Sequence, residues 1–369
     1  MAWTVEGGLE GSAHWYSANG GPPPEHVVSV ADTISVATAH RLMAEGTALL
    51  WTGDYPSARR LLAAVGRRAE RAGSPRAQSP GDAFRLHRGD RARRARLLGR
   101  LLVPYGDGWT IPLRRAPGVG EACLHAYGPS AGAGVGSLRE LLGVIGAHEW
   151  RRKGVEIPAL GGDRIHPHYG VFSPVRGEYV DLVAEAELPP GATAFDIGTG
   201  TGVLAAVLVR RGMRHVVATD HDMRAVHCAR DNAARLGLAT RIAVRHADLF
   251  PAGRAHLVVC NPPWLPADPR TPLDQAVYDP DSRMLHRFLT GLPDHLEPGG
   301  EGWLILSDLA ERLGLRGRGD VEGAITAAGL RVLARTTTRP RHPRAKDPLD
   351  PLHRARSTET TSLWRLGTA

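Results

Sequence analysis

Apolar and polar positions fall into a regular rhythm in the second half of the chain. Short apolar runs at 194–197, 215–219, 242–246, 256–260, 302–306, 331–336 and 361–366 are each bounded by turn residues and predict strands. Between them, stretches at 203–211, 223–236, 282–296 and 321–328 carry apolar residues at helical spacing, and 175–187 is a further amphipathic helix closed by Pro189-Pro190-Gly191. Strand and helix in alternation predict an α/β unit with a parallel sheet covered on both faces, and ligands of such sheets sit beyond the carboxyl ends of the strands. The last two strands flank a long polar segment with no helix between them, so they are expected to pair antiparallel.

The first half is patterned differently. Residues 1–30 contain Gly20-Gly21-Pro22-Pro23-Pro24 and read as a flexible lead-in. Helices are predicted over 32–51, 57–71, 83–103 and 137–152, with a short strand at 109–113 and a Pro/Ser linker over 73–81. Ser137 is placed as an N-cap, with Glu140 spaced to complete a capping box. The first helical pair faintly resembles a tetratricopeptide unit, but no repeat follows at a fixed period, which excludes a solenoid. The organisation expected is a lead-in (1–30), a mainly α-helical N-terminal domain (31–153) and an α/β domain (165–369).

Composition narrows the function classes. No uninterrupted apolar stretch approaches a membrane span, and the first residues lack the basic-then-apolar order of a secretory leader. Cys123, Cys228 and Cys260 are too few and too scattered for a disulfide framework or a zinc ribbon, so a cytoplasmic protein without a metal is expected. The net charge of +8 invites a nucleic-acid partner. Only Lys153 and Lys346 are lysines, so 46 − 2 leaves 44 arginines beside abundant Ala, Gly and Pro. That skew has the look of GC-rich coding. Thirteen arginines against three acids over 59–100 describe either a solvated helix face or a surface for RNA.

Two motifs carry the chemistry. Asp196-Ile197-Gly198-Thr199-Gly200-Thr201-Gly202 follows a strand and opens a helix. Its glycines alternate and an acid precedes them, an arrangement that would repel a diphosphate but suits a ligand with a sulfonium and an α-amino group. Asp220 ends the second strand, where an acid binds ribose hydroxyls. Asp222 is better placed as the N-cap of the next helix. Asp248 ends the third strand, as an adenine ligand or as a cap. About sixty residues after the glycine loop, Cys260-Asn261-Pro262-Pro263-Trp264 terminates an apolar strand, because consecutive prolines cannot donate ladder hydrogen bonds. The Asn261 side chain and the Pro262 carbonyl can accept both hydrogens of a planar NH2 group and free its lone pair. Trp264 would stack on the target, worth about 1–3 kcal/mol if that target is a base. Positioning alone can supply roughly 7–11 kcal/mol, so no strong base is required. Methyl transfer to nitrogen is the reaction these parts suit. His166-Pro167-His168 lacks a third metal ligand and reads as loop packing, and Cys260 reads as a small core residue.

On these motifs residues 165–369 resemble a class I S-adenosylmethionine-dependent methyltransferase of the small-domain group, which has a Rossmann-like seven-stranded sheet. The glycine loop and Tyr278-Asp279-Pro280 are similar to those of release-factor glutamine methyltransferases. The resemblance implies S-adenosyl-L-methionine as cofactor, with contacts at Asp196, Gly198, Thr199, Gly200, Gly202, Asp220, His221, Asp248, Leu249 and Asn261. It makes Asn261, Pro262, Pro263 and Trp264 the catalytic clamp, and Phe172 and Arg176, in a closing loop at 171–176, substrate contacts alongside Trp264. Trp264 replaces the usual tyrosine, and 338–356 inserts a basic loop with Arg339, Arg341, Arg344, Lys346, Arg354 and Arg356. Three readings therefore stand: a methyltransferase for a protein glutamine amide, one for an exocyclic amine of rRNA or tRNA, and a cofactor- or RNA-binding module without turnover.

Overall fold

A computed structural model describes residues 2–5, 9–70, 77–341 and 347–369. The chain divides into two units, Met1–Gln78 with Arg85–Glu149, and Ser79–Phe84 with Trp150–Ala369.

In the second unit the predicted strands form one seven-stranded sheet: β1 (Thr193–Ile197), β2 (His215–Asp220), β3 (Ile242–His246), β4 (Ala255–Cys260), β5 (Leu296–Ser307), β6 (Leu330–Thr338) and β7 (Thr361–Thr368). Their order is β3-β2-β1-β4-β5-β7-β6. The first five run parallel, and β7 is antiparallel to both neighbours. Strands β1 and β4 are almost wholly buried, as a sheet covered on both faces requires. Helices Glu178–Glu185, Val203–Arg210 and Met223–Arg235 build one core layer, and Arg283–His295 and Asp320–Ala327 the other. Ile197 pairs with Thr219 on one side and Cys260 on the other, so the carboxyl ends of β1, β2 and β4 lie level. The turns after them therefore share one edge.

Strand β5 starts at Leu296, earlier than its apolar pattern suggests, because Leu296 pairs with Ala255 across an irregularity in the ladder. Buried Trp303 donates to Glu301, which is also clamped by Arg365 from β7, at 2.7 and 2.8 Å.

The first unit departs from the helical expectation. It holds a five-stranded mixed sheet ordered His14–Tyr16, Gly134–Ser137, Leu101–Tyr105, Ala48–Trp51, Val27–Val30. The helix expected over 32–51 ends at Glu45, where Gly46 takes a left-handed conformation, and Ala48–Trp51 is a strand. The helix expected over 83–103 likewise spans Pro80–Leu98 and gives way to a strand. Both strands are unbroken apolar runs, in which a period of 2 cannot be told from a period of 3.6. The expected strand at 109–113 is absent, since Asp107–Trp109 is a 3-10 turn with Trp109 at φ 63°. Within 1–30, Ala2–Val5 pairs with Leu9–Ser12, and His14–Tyr16 and Val27–Val30 join the larger sheet. Ser137 accepts from the Glu140 N–H, but the reciprocal half of the capping box is missing. The Glu140 carboxylate is taken by the Ala18 N–H, the Asn19 amide and the Tyr127 hydroxyl. The expected linker falls partly outside the described residues, at 73–76.

Candidate active site

The turns after β1, β2, β3 and β4 surround an open cleft of about 270 Å³. Its walls include Gly198, Asp220, His221, Asp248, Leu249 and Pro263, with Tyr278, Arg283, Met284 and Arg287 opposite.

Gly198 is in the left-handed region at φ 69°, and a Cβ there would press on the Met284 methyl at 3.0 Å, so only glycine keeps this wall flat. Gly202, at φ 82°, starts the helix Val203–Arg210 against Ala229, 3.2 Å from where a Cβ would stand. Asp220 is 9% exposed. One oxygen accepts from the Gly200 N–H and the other from the Asp222 N–H, both at 3.0 Å. Burial pushes its carboxyl up, while those two donors resist. Asp222 caps the next helix through the Arg224 N–H, as its spacing implies. His221 is exposed at the rim, and Leu249 is held at φ 75° with its carbonyl accepting from the Thr219 hydroxyl. Asp248 is exposed and gripped by both Nη atoms of Arg287, at 3.0 and 2.9 Å, which holds its carboxyl below the ordinary range.

Asp196 departs from the expectation of a ligand contact. It is 1% exposed, and one of its oxygens accepts from both the Thr199 hydroxyl at 2.6 Å and the Ala205 N–H at 3.0 Å. It ties the glycine loop to its helix by accepting from a donor freed in the first turn of that helix. Burial pushes it up to about 6, from an ordinary 3.8. An acid raised by folding stabilises nothing when ionised: its penalty is absent below the unfolded value and complete above the folded one. The stability of the wild type relative to Asp196→Asn is expected to fall by about 2 kcal/mol between pH 4 and pH 7. Urea unfolding of both proteins at the two pH values reads this directly, and parallel profiles would refute it.

At the end of β4, Pro262 is buried and Asn261 and Trp264 are half-buried. The Trp264 indole N–H donates to Asn261 Oδ1 at 2.9 Å. The guanidinium of Arg176 lies 5.1 Å from the centre of the Trp264 ring. One face of the indole therefore has a cation over it, where the sequence suggested a platform open to a target. Phe172 is half-buried in the preceding coil. Cys260 is fully buried with its thiol pushed well up, consistent with a core role. His166 bonds to the Arg151 carbonyl and His168 pairs with Asp231 on the helix Met223–Arg235, so both rings are taken up in packing their loop. Asp279 caps the helix Arg283–His295 through the Met284 and Leu285 N–H groups, which gives Tyr278-Asp279-Pro280 a structural task in shaping one wall. Of the basic loop, Arg341 is paired with Asp181 and Arg356 with Asp350, while Arg344 and Lys346 lie outside the described residues. Among the described residues no helix is long and apolar enough to cross a membrane, and no His, Cys, Asp and Glu are gathered as for a metal.

Comparison with known proteins adds to this geometry. The family model for the methyltransferase small domain matches residues 164–312. A putative protein N5-glutamine methyltransferase of Methanocaldococcus jannaschii is 30% identical over 158 residues, 41% of this chain and 79% of the relative. The chain belongs to the small-domain S-adenosylmethionine-dependent methyltransferases. Release factor glutamine methyltransferase of Cereibacter sphaeroides is 36% identical over 169 residues, 42% of this chain and 58% of the relative. The chain thus spans little more than half of that methyltransferase. Among solved structures, a methyltransferase from Pyrococcus furiosus aligns with a TM-score of 0.41 at 18% identity, covering 63% of this chain and 99% of the other.

Proposed function

We propose that this methyltransferase places a methyl group on a planar NH2 nitrogen, namely a glutamine side-chain amide of a protein. The observation that carries the reading is Asn261 at the end of β4, its Oδ1 fixed by the Trp264 N–H and followed by a proline-stiffened backbone. The cleft suits the donor's chemistry. Asp220, Asp248 and Leu249 line it, which supports Asp220 as the acceptor for ribose hydroxyls and Asp248 and Leu249 as the adenine contacts. Left-handed Gly198 leaves the wall flat for the close approach of the rest. When bound, S-adenosylmethionine supplies an electrophilic methyl group.

The chain's own residues do the rest by positioning. An amide nitrogen is a poor nucleophile because its lone pair is delocalised. The second lone pair of Asn261 Oδ1 and the Pro262 carbonyl accept the two N–H bonds and draw the nitrogen toward tetrahedral geometry. Its lone pair then turns to the methyl group, and as the N–C bond forms and the methyl's bond to sulfur breaks, one of the two N–H protons is released to water.

The names of the two relatives favour glutamine over a nucleobase. So does the Arg176 guanidinium over Trp264, which leaves less of the indole for a base, and so does the internal pairing of Arg341 and Arg356. Labelled-methyl transfer in an extract of a deletion strain, sorted into protein, RNA and small molecules, tests the reading. Label in protein hydrolysed to N5-methylglutamine is expected, and label confined to RNA would overturn it.

A further inference from the structure

Arg176 is held in place by two buried carboxylates. Its Nε donates to Glu178 Oε1 at 2.9 Å and its Nη2 to Glu359 Oε1 at 3.1 Å. Glu178 is 2% exposed and Glu359 0%. The same Glu359 oxygen accepts from the Ser307 hydroxyl at 2.7 Å at the end of β5, while Glu359 Oε2 is buried with no partner. Two buried carboxylates on one guanidinium, with an acceptor left over, is more negative charge than packing alone would retain, and a group of that kind calls for a functional explanation.

We propose that Glu359, with Glu178 and Arg176, is a positioning residue that fixes the Asn261 amide through Trp264. The inference rests on the reading of Asn261 as the target clamp. A side-chain amide can present either its oxygen or its NH2 to the target, and only the oxygen can accept from an amide nitrogen's hydrogens. An indole is a donor and never an acceptor, so the Trp264 N–H selects the orientation with Oδ1 toward the ring. The Arg176 cation over the indole is attracted to the ring face and strengthens the ring's N–H as a donor. Glu359, which lies 183 residues from Arg176 in sequence and just beyond the 338–356 insertion, keeps the cation over the ring.

The test needs no substrate in its first arm. In proton–nitrogen correlation spectra of the full chain, the Trp264 indole signal is the one lost in Trp264→Phe. It is expected to shift upfield in Asn261→Ala, and in the same direction in Glu359→Gln and Arg176→Met. In the second arm, tritiated S-adenosylmethionine and the protein fraction of the deletion-strain extract are the probes. Glu359→Gln is expected to lower kcat by roughly 10- to 100-fold. Its affinity for S-adenosylhomocysteine should stay within about twofold of the wild type. Arg176→Lys, which keeps the charge but not the fork, should fall between, and it serves as the variant if Glu359→Gln does not fold. An indole signal unmoved in the folded variants would overturn the proposal, as would a loss of transfer that merely tracks the fraction folded. A wild-type protein that binds donor product yet labels nothing would refute the glutamine reading, and the first arm would still decide the positioning role.

Discussion

Replacing Asn261 with Ala is expected to lower methyl transfer by about 10²–10³-fold, the loss seen when one preorganised hydrogen-bonding group is removed from a polar active site. Asn261 Oδ1 is bonded to the Trp264 N–H, and the residue lies in the turn after β4 and, although the resemblance counted it among the cofactor contacts, does not line the cleft that Asp220 and Asp248 line. Removing the side chain takes an acceptor from the target nitrogen and leaves Asp220, Asp248 and the glycine loop untouched. Affinity for S-adenosylhomocysteine should therefore stay within about twofold, so that the loss falls on kcat rather than on donor binding. Asn261→Asp is the informative companion, because a carboxylate can still accept from both the indole and the target. It should recover part of the rate that Ala loses. Single-turnover transfer with labelled donor, set beside calorimetry with donor product, measures both quantities. Unchanged turnover in Asn261→Ala would end the mechanism.

The seven strands of the second unit were readable because each is an apolar run bounded by glycine, proline or an acid, and because helices of clear period separate them. That rhythm also pointed to the edge where the cleft lies, since Asp220 and Asp248, which line it, each close or follow a strand and the parallel register brings those ends together. Asp196 shows where such reading stops. A carboxylate beside a glycine loop can face a ligand or the freed N–H groups of the next helix, and the sequence of the loop is the same in both cases. Arg287 and Glu359 were out of reach for another reason. Each meets its partner across 39 and 183 residues, through side chains whose direction no local spacing encodes. In the first unit the apolar runs 48–51 and 101–105 were absorbed into neighbouring helices, and the sheet disappeared with them.

Asp220→Ala is expected to weaken the binding of S-adenosylmethionine and its demethylated product by roughly 30- to 1000-fold. In the proposed donor site Asp220 is the charged acceptor for two ribose hydroxyls, whose loss amounts to about 2–4 kcal/mol in all. The structural part of the loss can be separated from the direct part. Asp220 also holds the Gly200 and Asp222 N–H groups, so its removal loosens the glycine loop as well as deleting the acceptor. Asp222→Ala, which removes only the helix cap on the Arg224 N–H, should cost about 1 kcal/mol of stability and leave affinity nearly unchanged. Asp220→Asn retains an oxygen for one loop N–H but loses the charge, and should fall between the two. Burial raises the Asp220 carboxyl, so in the wild type the ionised form is lost earlier on acidification than for an exposed aspartate. Affinity for the donor should therefore decline as pH falls toward that raised value, and in Asp220→Asn the decline should flatten. Calorimetric titration with S-adenosylhomocysteine across pH reads both effects, and a variant that binds as tightly as the wild type would remove Asp220 from the cofactor site.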